Sequence, residues 1–268
     1  MSIQAVLFDL DDTLLWDERS VEEAFAATCQ YAQSKSGAIP DQLEAEVRQA
    51  ARELYASYET YSFTQNIGIN PFEALWGHFT GGEHQEFRML QQLAPMYRQS
   101  AWTQGLKAVG VEDEALGAEL AKQFMKERRA RSYVYEETYE VLRKLKTRYP
   151  LLLLTNGSPD LQQEKLDGVP DIIPFFDHLV ISGNYPEGKP AVSLFQHAMS
   201  LLDIAPSAGL MVGDKLTTDI KGAYNVGMHH AWLNRKGVKL TGDIHPEYEI
   251  SHLSELFAVI DEIDSKKH

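Results

Sequence analysis

The chain has 268 residues, enough for a full hydrophobic core plus a second smaller unit, and its 44% hydrophobic and 24% charged residues are those of a folded globular protein. A formal charge of −14 and a pI near 5.1 argue against a nucleic-acid polymer or an anionic membrane as partner, and an anionic small ligand would need a locally positive site such as a bound cation. There is no apolar run of about eighteen residues to span a bilayer, no basic-then-apolar leader pattern at the start, and a single cysteine, Cys29, which reads as a small apolar filler. A soluble, cytoplasmic chain without disulfides is expected.

In chain order, IQAVLF ahead of Asp9 reads as a buried strand ending in a polar turn. From 17 to 132 the pattern is helical, with stretches at 20–33, 41–61, 86–100 and 113–130 and Gly- or Pro-containing breaks between them. This segment is expected to be an all-helical insertion. Strands then alternate with helices: a helix at 136–148, LLLLTNG at 151–157, a helix at 159–167, HLVIS at 178–182, a helix at 190–202, GLMVGD at 209–214, a helix at 218–226 and HHAWL at 229–233. Such alternation predicts a doubly wound α/β core with a parallel sheet, built from residues 1–16 and 133–268 around a helical domain at 17–132. No internal repeat is visible, and only the tail DSKKH reads as frayed.

In a parallel sheet of this kind the site lies at the carboxyl ends of the strands, and three of the apolar runs deliver polar residues there. Asp9 and Asp11 are two apart, so on an extended segment they face one reacting centre while Asp12 points away. Like charges this close raise proton affinity, which lets one carboxylate stay an anion and its neighbour donate a proton, unless a cation neutralises them. Thr155, Asn156 and Gly157 offer a hydroxyl, an amide and an unhindered N–H, donors suited to phosphate oxygens, although the same residues also make an ordinary turn. Asp214 and Asp219 add carboxylates at a third strand end, and hard oxygen ligands suit magnesium. Asp219 is equally readable as an acid at a helix N-terminus. Lys189, alone, would be a solvated charge before a helix.

FDLDDTL, TNG, GKP and VGDKLTTD, in this order and these strand contexts, resemble the four signature motifs of the haloacid dehalogenase superfamily, with a helical cap inserted after the first. The resemblance implies a Mg2+-dependent phosphatase: Asp9 as nucleophile, Asp11 as general acid then base, Thr155 and Lys189 on the phosphate, and metal held by Asp9, Asp214 and the Asp11 carbonyl. Asp219 would support the metal shell or hold Lys189; four residues separate it from Asp214, a spacing that also occurs in the family. The implied reaction hydrolyses a small phosphate monoester, such as a nucleotide, a sugar phosphate or phosphoserine, through an aspartyl-phosphate. Superfamily dehalogenases attack carbon without magnesium and generally lack an acid at the place of Asp11, which favours phosphoryl transfer here. Phosphomutase or 2-haloacid dehalogenase chemistry on the same core, and a catalytically idle partner-binding role, are the alternatives, and a monomer or homodimer is expected. In the cap, Arg128, Arg129 or Arg131 could anchor an anionic group or be solvated charges near a helix C-terminus. Trp16 could line an entrance or pack at the junction, and YASYETYSF at 55–63 could stack on a ligand or fill the core.

Overall fold

The computed structural model describes residues 2–240 and 242–266, and the chain forms two compact units. One comprises Met1–Trp16, Val134–Gly157 and Val169–His268; the other comprises Asp17–Tyr133 together with Ser158–Gly168.

The first unit is built on six parallel strands, β1 (Ala5–Phe8), β2 (Leu151–Thr155), β3 (His178–Ile181), β4 (Gly209–Gly213), β5 (His229–Leu233) and β6 (Tyr248–Ile250), in the order β3-β2-β1-β4-β5-β6. β1, β2 and β4 are buried at every position, which is why they read as continuous apolar runs rather than alternating ones. Register pairs Phe8 with Leu153 and with Val212, so these three strands end side by side and the residues that follow each are neighbours. On one face Leu7, Leu152, Leu154 and Met211 pack with Leu194, Phe195, Ala198 and Met199 of a helix at Val192–Leu202. The five anticipated strands are present. β6 was not anticipated, because only Ile250 of its three residues is buried and it leaves no apolar run.

The second unit is helical: α1 (Asp17–Ser36), α2 (Pro40–Ser57), α3 (Tyr61–Ile67), α4 (Pro71–Ala74), α5 (Gln85–Ala108) and α6 (Glu114–Arg129). α5 runs on past Pro95, beyond the stretch the pattern marks, and the short α3 and α4 carry too few residues for a period to show. Its core holds Phe25, Trp102 and Phe124 with ring centroids 4.5 to 5.9 Å apart. Tyr55 packs against Tyr97 and Tyr61, so the aromatic stretch at 55–63 fills the core. Cys29 lies in the same core as a filler, and burial pushes its thiol up to about 12.

A further helix at Pro159–Asp167, expected with the sheet, groups with this unit. Leu161 joins the helical core, and Lys165, 2% exposed at its side chain, places its ammonium 2.8 Å from Glu73 and 3.7 Å from Asp17. The three cap arginines are committed to protein partners. Arg128 is buried, pairs with Asp17, donates to Ser20 and stacks over Trp76; Arg129 pairs with Glu164, and Arg131 with Glu127. Arg128 is therefore not the solvated charge that its place near a helix end suggests, while the Arg129 and Arg131 side chains stay 29% and 21% exposed. Among the described residues no helix is long and apolar enough to cross a membrane. Of the DSKKH tail, Asp264 and Ser265 belong to a helix at Leu256–Ser265, and the last two residues lie outside the described ones.

Candidate active site

Asp9 is the first residue after β1, and its N–H donates to the Val212 carbonyl, which ties it to the neighbouring strand. Beyond it the chain turns back at once. Asp12 adopts φ 59°, a left-handed conformation that aspartate tolerates better than most residues, and Leu14 and Leu15 N–H both return to the Leu10 carbonyl. That turn brings the buried Thr13 hydroxyl to 3.3 Å from Asp9 Oδ2.

Lys189 reaches the same carboxylate from another direction. Its Nζ lies 2.6 Å from Asp9 Oδ1, 2.7 Å from Asp219 Oδ1 and 2.7 Å from the Leu154 carbonyl, so all three ammonium protons have acceptors. Burial opposes this charge, but Asp219 and Asp9 outweigh it and hold the Lys189 pKa above its ordinary value. Lys189, which by its local sequence alone would read as a solvated charge, is the central cation of a buried cluster. Its main chain is clamped by Asn156, whose amide donates to the Lys189 carbonyl at 3.0 Å and accepts from its N–H at 2.8 Å. Asn156, expected on the phosphate, therefore orients Lys189.

The Gly157 N–H, also expected on the phosphate, donates to Ser182 Oγ at 2.9 Å. Its φ of 144° lies in a region open chiefly to glycine, so the residue serves the turn geometry. Thr155 is buried at the last position of β2, with its hydroxyl 3.4 Å from the Asn156 carbonyl.

At the end of β4, Asp214 is followed by a π-type turn at Leu216–Ile220, wider than the helix start read from the sequence. The turn lets Asp219 come back over the strand end, where Oδ2 accepts the Lys215 N–H at 3.0 Å. Gly213 makes room for it, since a Cβ there would sit 2.2 Å from Asp219 Oδ2. With one oxygen on Lys189 and the other on Lys215 N–H, Asp219 acts as a holder of Lys189 and of the turn. Asp214 is anchored through its carbonyl, which accepts from the Trp232 indole at 2.8 Å.

Carboxylate oxygens of Asp9, Asp214 and Asp219 lie within 4.8 Å of one another, and Asp214 Oδ1 is buried without a hydrogen-bond partner. An orphaned carboxylate oxygen in a set of hard oxygen donors fits a divalent cation of the magnesium type. Burial pushes Asp9 up to about 6, with Lys189 pulling it down and Asp219 pushing it further up; burial and then Asp9 raise Asp214 well above the usual carboxylate range. Lys215 reaches solvent but sits among these acids. Desolvation works against its charge, and Asp214, Asp9 and Asp11 together raise its pKa. The sequence carried no sign that Thr13, Trp232 and Ser182 serve the site, because each is an unremarkable residue on a turn or strand.

The Asp9 shift has a consequence for stability. Asp9 ionises near 6 when folded and near the ordinary value of 3.8 when unfolded, so the folded state holds the proton more tightly. Its contribution is present below about pH 4 and lost as pH rises through 6, a change of about 3 kcal/mol at ~1.4 kcal/mol per pH unit. In urea melts with EDTA, Asp9→Asn is expected to gain on the wild type progressively from pH 4 to pH 7. A difference that stayed flat would contradict that origin of the shift.

Haloacid dehalogenase-like hydrolases match the chain as a family over residues 3–227. The chain belongs to that family. It is 33% identical over 260 residues to a phosphoserine phosphatase from Thermus thermophilus, covering 95% of this chain and 98% of the relative. It is 30% identical over 267 residues to a 5-amino-6-(5-phospho-D-ribitylamino)uracil phosphatase from Escherichia coli, covering 96% of each. Among solved structures, the HAD-hydrolase YfnB from Bacillus subtilis bound to magnesium superposes with a TM-score of 0.68 over 97% of this chain and all of that one. At 20% identity this last likeness establishes the fold alone: an α/β core of the haloacid dehalogenase type with a helical cap.

Proposed function

We propose that this haloacid dehalogenase-type phosphatase hydrolyses a small phosphate monoester in two displacements through a phosphoryl group carried on Asp9. The observation that carries the reading is the Asp9 carboxylate itself, held at a strand end by Lys189 at 2.6 Å beside an Asp214 oxygen with no protein partner. In the first displacement an Asp9 oxygen attacks phosphorus, the ester P–O bond breaks, and Asp11 delivers a proton to the leaving oxygen. In the second, water attacks phosphorus, Asp11 takes its proton, and the Asp9–phosphorus bond breaks to release phosphate. Lys189 and the Thr155 hydroxyl hold the equatorial oxygens in line, and Asp219 keeps Lys189 in place. Unaided monoester hydrolysis is so slow that up to ~10²¹-fold acceleration is required, which favours positioning and electrostatics over acid strength alone. A magnesium ion held by Asp9, Asp214 and the Asp11 carbonyl would supply charge neutralisation of the phosphoryl oxygens.

Nucleotides, sugar phosphates and phosphoserine are the substrate classes we propose. The phosphatase names of the two full-length relatives support a small phosphorylated metabolite. The test is release of p-nitrophenol from p-nitrophenyl phosphate with magnesium and with EDTA. EDTA is expected to lower the rate at least ~10²-fold, since the phosphoryl charge then lacks its cation. Equal release in both would refute the reading, and halide release from 2-haloacids without metal would replace it with attack on carbon.

A further inference from the structure

We propose that Arg235, which lies outside all four motifs, is a positioning residue for the Asp9 nucleophile; the proposal rests on the phosphatase reading above. Arg235 follows Asn234, whose N–H pairs with the Ile250 carbonyl and whose side chain accepts from Val238 N–H, so the arginine leaves an ordered turn. Its side chain, 17% exposed, carries out three tasks. Nη2 donates to the Thr13 carbonyl at 3.2 Å, Nη1 pairs with Glu137 at 2.7 Å, and the guanidinium lies 3.5 Å from the Tyr135 ring centroid. Thr13 in turn donates its hydroxyl to Asp9 Oδ2 at 3.3 Å. Two hydrogen bonds therefore connect a guanidinium on the β5 side of the sheet to the carboxylate that attacks phosphorus.

The same arginine ties the segment that follows the first motif to the segment at 134–137. Tyr135, under the guanidinium, stacks on Trp16 at 5.2 Å and 18°, and its N–H donates to the Leu14 carbonyl. Leu15 and Val134 form an antiparallel bridge. Residues 13 to 16 and 134 to 137 are thus one assembly with Arg235 across it. Planarity matters, because only a forked, flat cation can hold a carbonyl and a carboxylate edge-on while its face lies on a ring. Trp16, half of that stack, packs on Tyr135 while staying 37% exposed.

In-line attack tolerates little displacement, and a misplacement of ~1 Å can cost up to ~10²-fold in rate. Arg235→Met is therefore expected to lower kcat for p-nitrophenyl phosphate about tenfold, at equal folded fraction by circular dichroism, with KM within about twofold. Arg235→Lys, whose ammonium can reach the Thr13 carbonyl but cannot also stack and pair, is expected to recover part of that loss. Glu137→Gln breaks the ion pair that holds the guanidinium but leaves the Thr13 contact, so it is expected to lower Tm and to cost kcat less than Arg235→Met does. An Arg235→Met enzyme with wild-type kcat, or a loss carried wholly by KM, would overturn the proposal, as would equal kcat losses in Arg235→Met and Glu137→Gln. If Arg235→Met fails to fold, Arg235→Lys carries the comparison, and wild-type kcat in it overturns the proposal. A wild type with no magnesium-dependent turnover would count against the phosphatase reading instead. Beryllofluoride, a phosphoryl mimic for an ionised carboxylate, then tests Arg235 without turnover: about tenfold weaker binding to Arg235→Met supports positioning, and unchanged binding overturns it.

Discussion

Replacing Asp9 by asparagine is expected to lower kcat for p-nitrophenyl phosphate by at least ~10⁴-fold, because removing a nucleophile collapses a mechanism whose parts act as a unit. The change is close to isosteric. An amide oxygen still accepts from Thr13, at 3.3 Å in the wild type, and can accept from Lys189, so the fold has every reason to survive. What disappears is the anion that attacks phosphorus. Because Asp9 is raised to about 6 by burial, the asparagine enzyme should also be no less stable than the metal-free wild type at pH 7. Steady-state assay and a melt on the same preparation separate loss of chemistry from loss of fold. Activity within about tenfold of wild type would remove Asp9 from the mechanism.

Replacing Lys189 by methionine is expected to lower kcat about 10³-fold and to destabilise the protein as well. The ammonium is 2% exposed at its side chain and touches two carboxylates, so its removal leaves Asp9 and Asp219 facing each other without a cation. The pH dependence has a definite sign. Lys189 pulls the Asp9 pKa down, so in the methionine variant Asp9 keeps its proton to higher pH. The acid limb of the pH–rate profile should therefore move upward relative to wild type. An unchanged acid limb in a folded variant would show that Lys189 does not act on Asp9. Asp219→Asn should resemble a weaker version, since it frees Lys189 on one side only.

Asp9 and Lys189 differ in how plainly the sequence marks them. Asp9, Thr155 and Asp214 follow continuous apolar runs, so their place at neighbouring strand ends could be read from pattern alone, and β1, β2 and β4 do end side by side. Lys189 is different. Nothing in GKP distinguishes a solvated lysine from one with three buried acceptors, and the resemblance to a family, not its spacing, identified it. Asn156 and Gly157 carry donor groups suited to phosphate, but a donor's partner is decided by tertiary neighbours that composition does not encode. Those neighbours are the Lys189 main chain and Ser182. The helix at Pro159–Asp167 has an ordinary amphipathic pattern, which states that a face is buried but not against what. Lys165 and Leu161 place it with the helical unit. Charge near a helix terminus normally signals solvent, and Arg128 departs from that because Asp17 and Ser20 receive it. Arg235 shows the same limit, since its partners Thr13, Tyr135 and Glu137 lie about a hundred or more positions away in the chain.

A phosphoryl group bonded to Asp9 during turnover is the step on which the proposed chemistry turns. Acid quenching of the enzyme with substrate and magnesium, followed by borohydride reduction of any acyl phosphate and mass mapping of the peptide from 3 to 16, reads that bond at single-residue resolution. Conversion of residue 9, and of no other aspartate, to homoserine is the predicted result, and it should vanish in Asp9→Asn. An actively turning-over enzyme that showed no reducible acyl phosphate, or showed it at Asp11 or Asp12, would contradict the account.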